Sequence, residues 1–383
     1  MKQLKTAIIL ALLFTGVAGT QAQDDNLFNP IQTGIPSLTI APDARGGALG
    51  DIGAATEADA YSQFWNPAKY AFINSKAGVS FGFTPWLRYL VDDINLSYLV
   101  GYYRLNDNWT MGASLHYFSL GDIILTQLGV GDEIINLGTT KPYEMALDVS
   151  IAGKLSENFS MATAFRGIYS DMGSGSGMDG VYPAKAIAAD IAGYYQNYFV
   201  AGQNECLLGL GFHISNIGNK VSYDGDNHFS FLPTNLRLGA SVLFPLDDYN
   251  SMSISADVNK LLVPTPPDTV TEDWNSDISP IAGIFQSFSD APGGAKEELR
   301  EISYSIGAEY AYDNKFFIRG GYHYENPYKG NRQYFSLGTG FRLTAFQLDV
   351  AYLISTVPNN PLDQTLRFSL SFDMDGLKQL MRY

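Results

Sequence analysis

From Lys76 to Asp373 the chain runs through about 14 short segments in which apolar and polar residues alternate, and the gaps between them alternate between a few residues and many. Ser251 to Asn259 shows the pattern: Met252, Ile254, Ala256 and Val258 fall on one face, and Ser251, Ser253, Ser255, Asp257 and Asn259 on the other. Strand side chains repeat every second residue, so this is strand periodicity. In a water-soluble sheet the apolar face would be covered by a second layer. Here nearly every strand carries such a face, and no helical segments are available to cover it. Lipid is the simplest cover, and only a closed sheet satisfies all its backbone polar groups in lipid. The expected class is all-β: a 14-stranded antiparallel transmembrane β-barrel.

Composition agrees with that class. Aromatics make up 13%, with 24 Tyr and 23 Phe, charged residues only 16%, and there are 38 Gly. Barrels use aromatics as girdles at both membrane interfaces and keep mean hydropathy near zero, because their apolar residues sit at alternate positions. The N-terminus has Lys2 and Lys5, an apolar run from Ala7 to Val17, and small residues ending near Ala22. It reads as a Sec-type signal peptide cleaved near residue 22, because the run is too short to span as an anchor. Its removal takes the formal charge from −15, by the loss of two lysines, to −17. Such a surface repels nucleic acid. Acidic residues gather in Asp122–Glu133, Asp224–Asp226 and Pro267–Asp277, read either as solvated loop tips or as sites of divalent-ion bridging to lipopolysaccharide. The single cysteine, Cys206, has no intramolecular partner and by strand phase faces lipid.

The strands are placed near 77–84, 93–104, 109–119, 143–155, 158–170, 186–196, 205–216, 234–244, 251–260, 301–311, 315–324, 333–343, 345–355 and 364–373. With a periplasmic start, the even-numbered gaps are periplasmic and short, and the odd-numbered ones extracellular and mostly long. That is the asymmetry of outer-membrane barrels. Asn197–Asn204 is read as a periplasmic turn, and 120–142 as an outer loop. Phase sends Trp109, Met111, Leu115 and Tyr117 toward lipid. It sends Glu144, Asp148, Lys154, Arg166, Asp190, Glu205, Arg237, Asp257, Glu309, Arg319, Arg342, Asp349 and Arg367 into the lumen. Charges of both signs there can pair with one another or with a plug, or can form a selectivity filter.

Before the strands lies a Gly/Ala/Asp-rich stretch without alternation, so the chain divides into 1–22 signal peptide, 23–75 plug or hatch, 76–374 barrel and 375–383 periplasmic tail. The plug contains Ala41-Pro-Asp-Ala-Arg-Gly-Gly-Ala-Leu-Gly-Asp-Ile-Gly-Ala-Ala-Thr56 and Asn66-Pro67-Ala68. Its glycines, Gly46, Gly47 and Gly50, let backbone pass close under a wall, and Asp43, Arg45 and Asp51 can pair with lumen charges. A phosphate loop is the competing reading, but no preceding strand and no Gly-Lys-Ser/Thr support it.

Asn66–Ala68 closing an N-terminal hatch resembles the FadL family of outer-membrane barrels, which have 14 strands and carry hydrophobic molecules. The longer string Ala41–Phe72 resembles that of the PorV family of FadL-type barrels, which serve the type IX secretion system. That resemblance implies a non-enzymatic shuttle. It would bind the C-terminal signal domain of secreted cargo at the translocon barrel, help close that barrel's lateral opening, and pass cargo to a sortase-like surface attachment complex. The alternative is a FadL-type transporter of a hydrophobic small molecule. The resemblance also associates such proteins with lipopolysaccharide deacylation, but only four His are present and no Ser is marked as a nucleophile. No cofactor and no metal-ligand spacing stand out.

Only outer loops reach cargo at the surface. In the longest, Leu261–Arg300, the spacing of Ile281, Ile284, Phe285 and Phe288 predicts a short amphipathic helix, packed on its own rim or contacting cargo or translocon. In the first loop Trp86, Leu87 and Tyr89 form a second candidate, anchoring a partner or sitting in the interfacial girdle. The tail, with Leu377, Leu380 and Met381 on one side of a helical turn, is expected as a lid over the inner mouth.

Overall fold

A computed structural model describes residues 28–88, 91, 93–128, 133–174, 180–267, 274–358, 360 and 362–380. The signal-peptide segment, Tyr89 and Met381 lie outside the described residues. Sixteen strands follow in chain order: β1 Ala77–Pro85, β2 Asn95–Arg104, β3 Trp109–Ser119, β4 Ile123–Leu128, β5 Ile134–Thr140, β6 Tyr143–Lys154, β7 Phe159–Asp171 and β8 Ala184–Ala201. They continue as β9 Asn204–Gly218, β10 Asn235–Pro245, β11 Asn250–Leu261, β12 Ile302–Tyr312, β13 Phe316–Tyr324, β14 Gln333–Arg342, β15 Phe346–Ser355 and β16 Leu366–Asp373. All but β4 and β5 form one closed antiparallel barrel of 14 strands, each beside its neighbour in sequence. The seam closes where β1 meets β16, with Val79 opposite Phe372.

The alternation has the polarity expected in lipid. On β3, Trp109, Met111, Leu115 and Tyr117 are exposed, while Thr110, Ser114 and His116 are buried toward the lumen. A closed sheet leaves no unpaired edge, so the apolar outer face can meet hydrocarbon without exposing backbone polar groups. Near the outer ends of β3, β6 and β7, Tyr117, Tyr143 and Tyr169 stack at 5.8 and 5.9 Å between ring centres, which places one aromatic girdle.

Three elements differ from the sequence reading. The 197–204 turn is instead strand: β8 runs to Ala201 and β9 starts at Asn204, with Gly202 at φ +70 in the tight connection. The last ladder partner of β7 on β8 is Tyr195 and that of β10 on β9 is Leu207; beyond them the two strands pair with each other, and Asn204 Nδ2 donates to the Pro245 carbonyl (2.6 Å). This hairpin end runs past the start of β7 and ends level with Pro245 of β10, with Glu205 exposed instead of in the lumen. Cys206, in lipid-facing phase, is 1% exposed and so does not face lipid. Residues 120–142 are not plain loop, because β4 and β5 form a separate hairpin on the outer side, built from the β-branched runs Ile123-Ile124 and Ile134-Ile135. The tail forms helix Met374–Leu380, but it is not a lid. Gly376 lies against the carbonyl of Thr344, and Met374 and Leu377 are exposed beside Val79, Tyr103 and Phe372 on the outer wall.

Candidate functional site

Residues 28–76 thread the lumen from its outer to its inner end. At the outer mouth Asn29 N donates to the Tyr328 carbonyl (3.0 Å) and Gly34 N to that of Phe231 (2.8 Å), both in outer loops. At mid-depth Ala44 N donates to Ser369 Oγ (2.8 Å), and Gly53 N and Ala54 N to Asp257 Oδ2 (2.8 and 3.0 Å). At the inner rim Lys76 N donates to Asp375 Oδ2 (2.9 Å). These partners come from opposite walls of the barrel, so the segment between them lies inside it.

Helix α1, Ala44–Ala48, begins at Asp43, whose carboxylate accepts from Gly46 N (2.7 Å) and Trp65 Nε1 (2.6 Å). An Asp here satisfies one of the amides that a helix leaves unpaired at its start. Gly46 lies under the Trp65 ring and Gly47 against Arg367, so a side chain at either would collide. Gly50, at φ +86, lies on the backbone of Tyr322, and Asp51, at φ +63, accepts from Arg367 Nη1 and Tyr334 Oη, both at 2.5 Å. Arg45 donates to both oxygens of Glu309 (3.2 and 3.0 Å) and to Asp59 (3.0 Å), and Arg319 joins Glu309 to Asp349. Asn66 donates to the Ala54 and Gly193 carbonyls (2.8 and 3.0 Å) and accepts from Ala68 N. Pro67 opens the 3₁₀ turn Pro67–Phe72, and Ala68 is fully buried. The motif residues thus meet inside the barrel.

The wall has matching recesses. A Cβ at Gly211 would sit 2.1 Å from the Ala54 carbonyl, and one at Gly307 or Gly321 within 2.5 Å of Leu49 backbone atoms. Buried charges on the other side pair likewise: Arg166 bridges Asp148 (2.5 Å) and Asp190 (3.1 Å), and His213 lies between Asp190 and the Trp65 carbonyl. Sequence reasoning missed Lys69, which is 0% exposed and donates to the Gly53 carbonyl (2.7 Å) and Thr56 Oγ1 (3.1 Å). Nothing local marks it, because a lysine at a polar turn reads as solvated.

The outer face carries the loop candidates. Helix α3, Pro280–Gln286, follows the short α2, Ser62–Trp65; Ser279 caps it by accepting from Ala282 N (3.2 Å). Its buried residues are small: Gly283, against Phe231 and Pro264, and Ser287 just after the helix. Ile281, Phe285 and Phe288 are therefore turned outward, at 56, 73 and 52% exposure, and Ile284 is half-buried. Beside them opens a groove of about 870 Å³, lined by Tyr182, Lys185, Lys220, Phe229 and Ser276–Pro280. Lys220 Nζ donates to the Asn275 and Ser276 carbonyls (2.5 and 3.1 Å) and so fixes one wall. Trp86 and Leu87 are half-buried, with Trp86 N donating to the Ile94 carbonyl (2.9 Å). The β4–β5 hairpin, in a stretch whose sequence reads as loop, exposes Ile123, Ile124, Ile134 and Ile135. The signal was present in the paired isoleucines, which a count of gap lengths does not use.

Comparison with known structures returns barrels of the same kind. The Pseudomonas putida toluene transporter TodX superposes with a TM-score of 0.50 at 8% identity, covering 87% of this chain and 97% of that one. A deletion mutant of the TodX monoaromatic hydrocarbon channel gives 0.50 at 12% identity, over 86% and 98%. A Pseudomonas aeruginosa FadL homologue gives 0.45 at 13% identity, over 88% and 99%. At such identities the likeness concerns the fold. No curated protein matches the sequence. The family described as type IX secretion system protein PorV matches residues 21–268, which takes in the whole lumen segment and the strands through β11. The chain therefore belongs to the PorV family, and it is an outer-membrane β-barrel of the type IX secretion system.

Proposed function

We propose that this barrel receives the C-terminal signal domain of secreted proteins on its outer loops as they leave the translocon barrel, and hands them to a sortase-like attachment complex at the cell surface. Residues 1–22 act as the cleaved export signal, and the acidic loop tips face lipopolysaccharide. The observation that carries this reading is the apolar ridge Ile281–Phe285–Phe288, turned to the outside next to the 870 Å³ groove, in a barrel whose lumen is occupied by its own chain. Exposed aromatic and aliphatic clusters of this kind are where partner-binding energy concentrates. Trp86, Leu87 and Tyr89 of the first outer loop are assigned the same role as secondary contacts.

The transporter reading needs an apolar passage. Among the described residues the spaces above and below the lumen segment are small, about 280 and 270 Å³, and are lined by charged and polar groups such as Arg237 and Glu325 above and Arg45 and Asp349 below. Replacing Ile281, Phe285 and Phe288 together by serine tests the cargo reading. The triple variant should still resist unfolding as the parent does, and should retain less than a tenth of the cargo that co-purifies with the parent from outer membranes. Undiminished cargo on a folded triple variant would sink the proposal.

A further inference from the structure

The cavity of about 280 Å³ at the outer mouth lies between the strap Pro30–Thr39 and the upper ends of β10 to β13. Its carboxylates are all committed. Asp51 is held by Arg367 at 2.5 Å, Glu325 by Arg332 at 2.8 Å, and Glu301 by Lys260 and Lys329 at 2.6 and 3.1 Å. Arg237 differs. Its Nε donates to Asn259 Oδ1 (2.8 Å) and its plane lies 4.6 Å from the Trp65 ring centre, yet among the described residues no carboxylate comes within 4.0 Å of it. The two Nη groups therefore present a fork of donors with no protein acceptor. On the same cavity His323 is 6% exposed, and its Nδ1 is satisfied by Ser305 Oγ (2.9 Å), but its buried Nε2 has no partner. When the Ser305 hydroxyl donates to Nδ1, the ring hydrogen sits on Nε2 and is a second donor at the cavity wall without a protein acceptor.

We propose that this cavity is a binding site for a single carboxylate group entering from outside, held by the Arg237 fork and the His323 Nε2 hydrogen. A planar guanidinium with two free donors matches a carboxylate's two oxygens. The charged groups that line the cavity balance, and Asp51, Glu301 and Glu325 repel a second negative charge, so the site suits a monoanion and not a dianion. The volume takes a small acid or the last residue or two of a peptide. The site stands independently of the cargo reading above.

The test uses the purified full-length barrel in detergent and isothermal titration with three probes: trialanine with a free C-terminus, trialanine amide, and propionate. Trialanine acid should bind at least tenfold more tightly than its amide. Tighter binding of the tripeptide acid than of propionate assigns the site to a chain terminus, whereas equal binding assigns it to small free acids. Arg237→Gln and His323→Gln should each weaken the acid at least tenfold and leave the amide unchanged, and Arg237→Lys should restore only part of the loss. Equal binding of acid and amide, or no binding of either acid, overturns the proposal on the unaltered protein, whatever the variants do to folding.

Discussion

At position 211 a single methyl group would be a wedge, since its carbon would meet the Ala54 carbonyl at 2.1 Å. Gly211→Ala is expected to cost about 1–3 kcal/mol by forcing wall and lumen segment apart. Urea unfolding measures the loss, and limited proteolysis should show residues 41–60 newly accessible while the strands stay protected. An unchanged midpoint would mean that the lumen segment is not tightly seated. Arg45→Ala leaves Glu309 with one guanidinium where it had two, and breaking a buried pair of this kind costs about 3–5 kcal/mol. The same unfolding experiment reads it, and Arg45→Lys should recover only part because the two-oxygen contact with Glu309 is lost. The glycines of the lumen segment were legible in the sequence because they cluster. Those of the wall were not: Gly211, Gly307 and Gly321 look like weak points in strands, and their reason lies more than a hundred residues away.

Among elements, the barrel strands were legible nearly to their ends because period two is local and repeats 14 times. Elements outside the barrel's shared ladder were not, as the β8–β9 extension and the β4–β5 hairpin show. Helix α3 is an intermediate case. Periodicity gave its existence, but which side packs was decided by Gly283 fitting against Phe231 and Pro264, so the small face is buried and the large one free. The loop that carries it has a pH-sensitive point at Asp290, whose carboxyl is pushed up to about 6 by burial, with Glu298 and Glu301 adding to the rise against a lowering hydrogen bond from Thr265 N. A folded value above the ordinary 3.8 means the proton is held more tightly in the folded loop. This contribution is therefore fully present below about pH 4 and is lost as pH rises through about 6. Hydrogen exchange of residues 262–267 and 280–300 should show protection falling across that window. Asp290→Asn should flatten the change, and a slope that persists in the variant would assign it to another group.

At the scale of the molecule, the chain fills its own barrel, and ion transit is the direct measure. The parent in planar bilayers should show no steady conductance, and a variant lacking residues 28–72 should open a pore of nanosiemens order, since a 14-stranded barrel without its filling encloses water. Equal conductance of the two would show that current bypasses the lumen. The seam gives the filling a further meaning. The segment reaches from Asn29 at the outer mouth to Lys76 at the inner rim, and the wall around it is completed only when the first strand meets the last, Val79 beside Phe372. A cork that touches the glass on every side cannot be pushed in after the bottle is sealed. The residues that arrive first must therefore already be in place when the final strand docks, and the wall is assembled around them as around a mandrel.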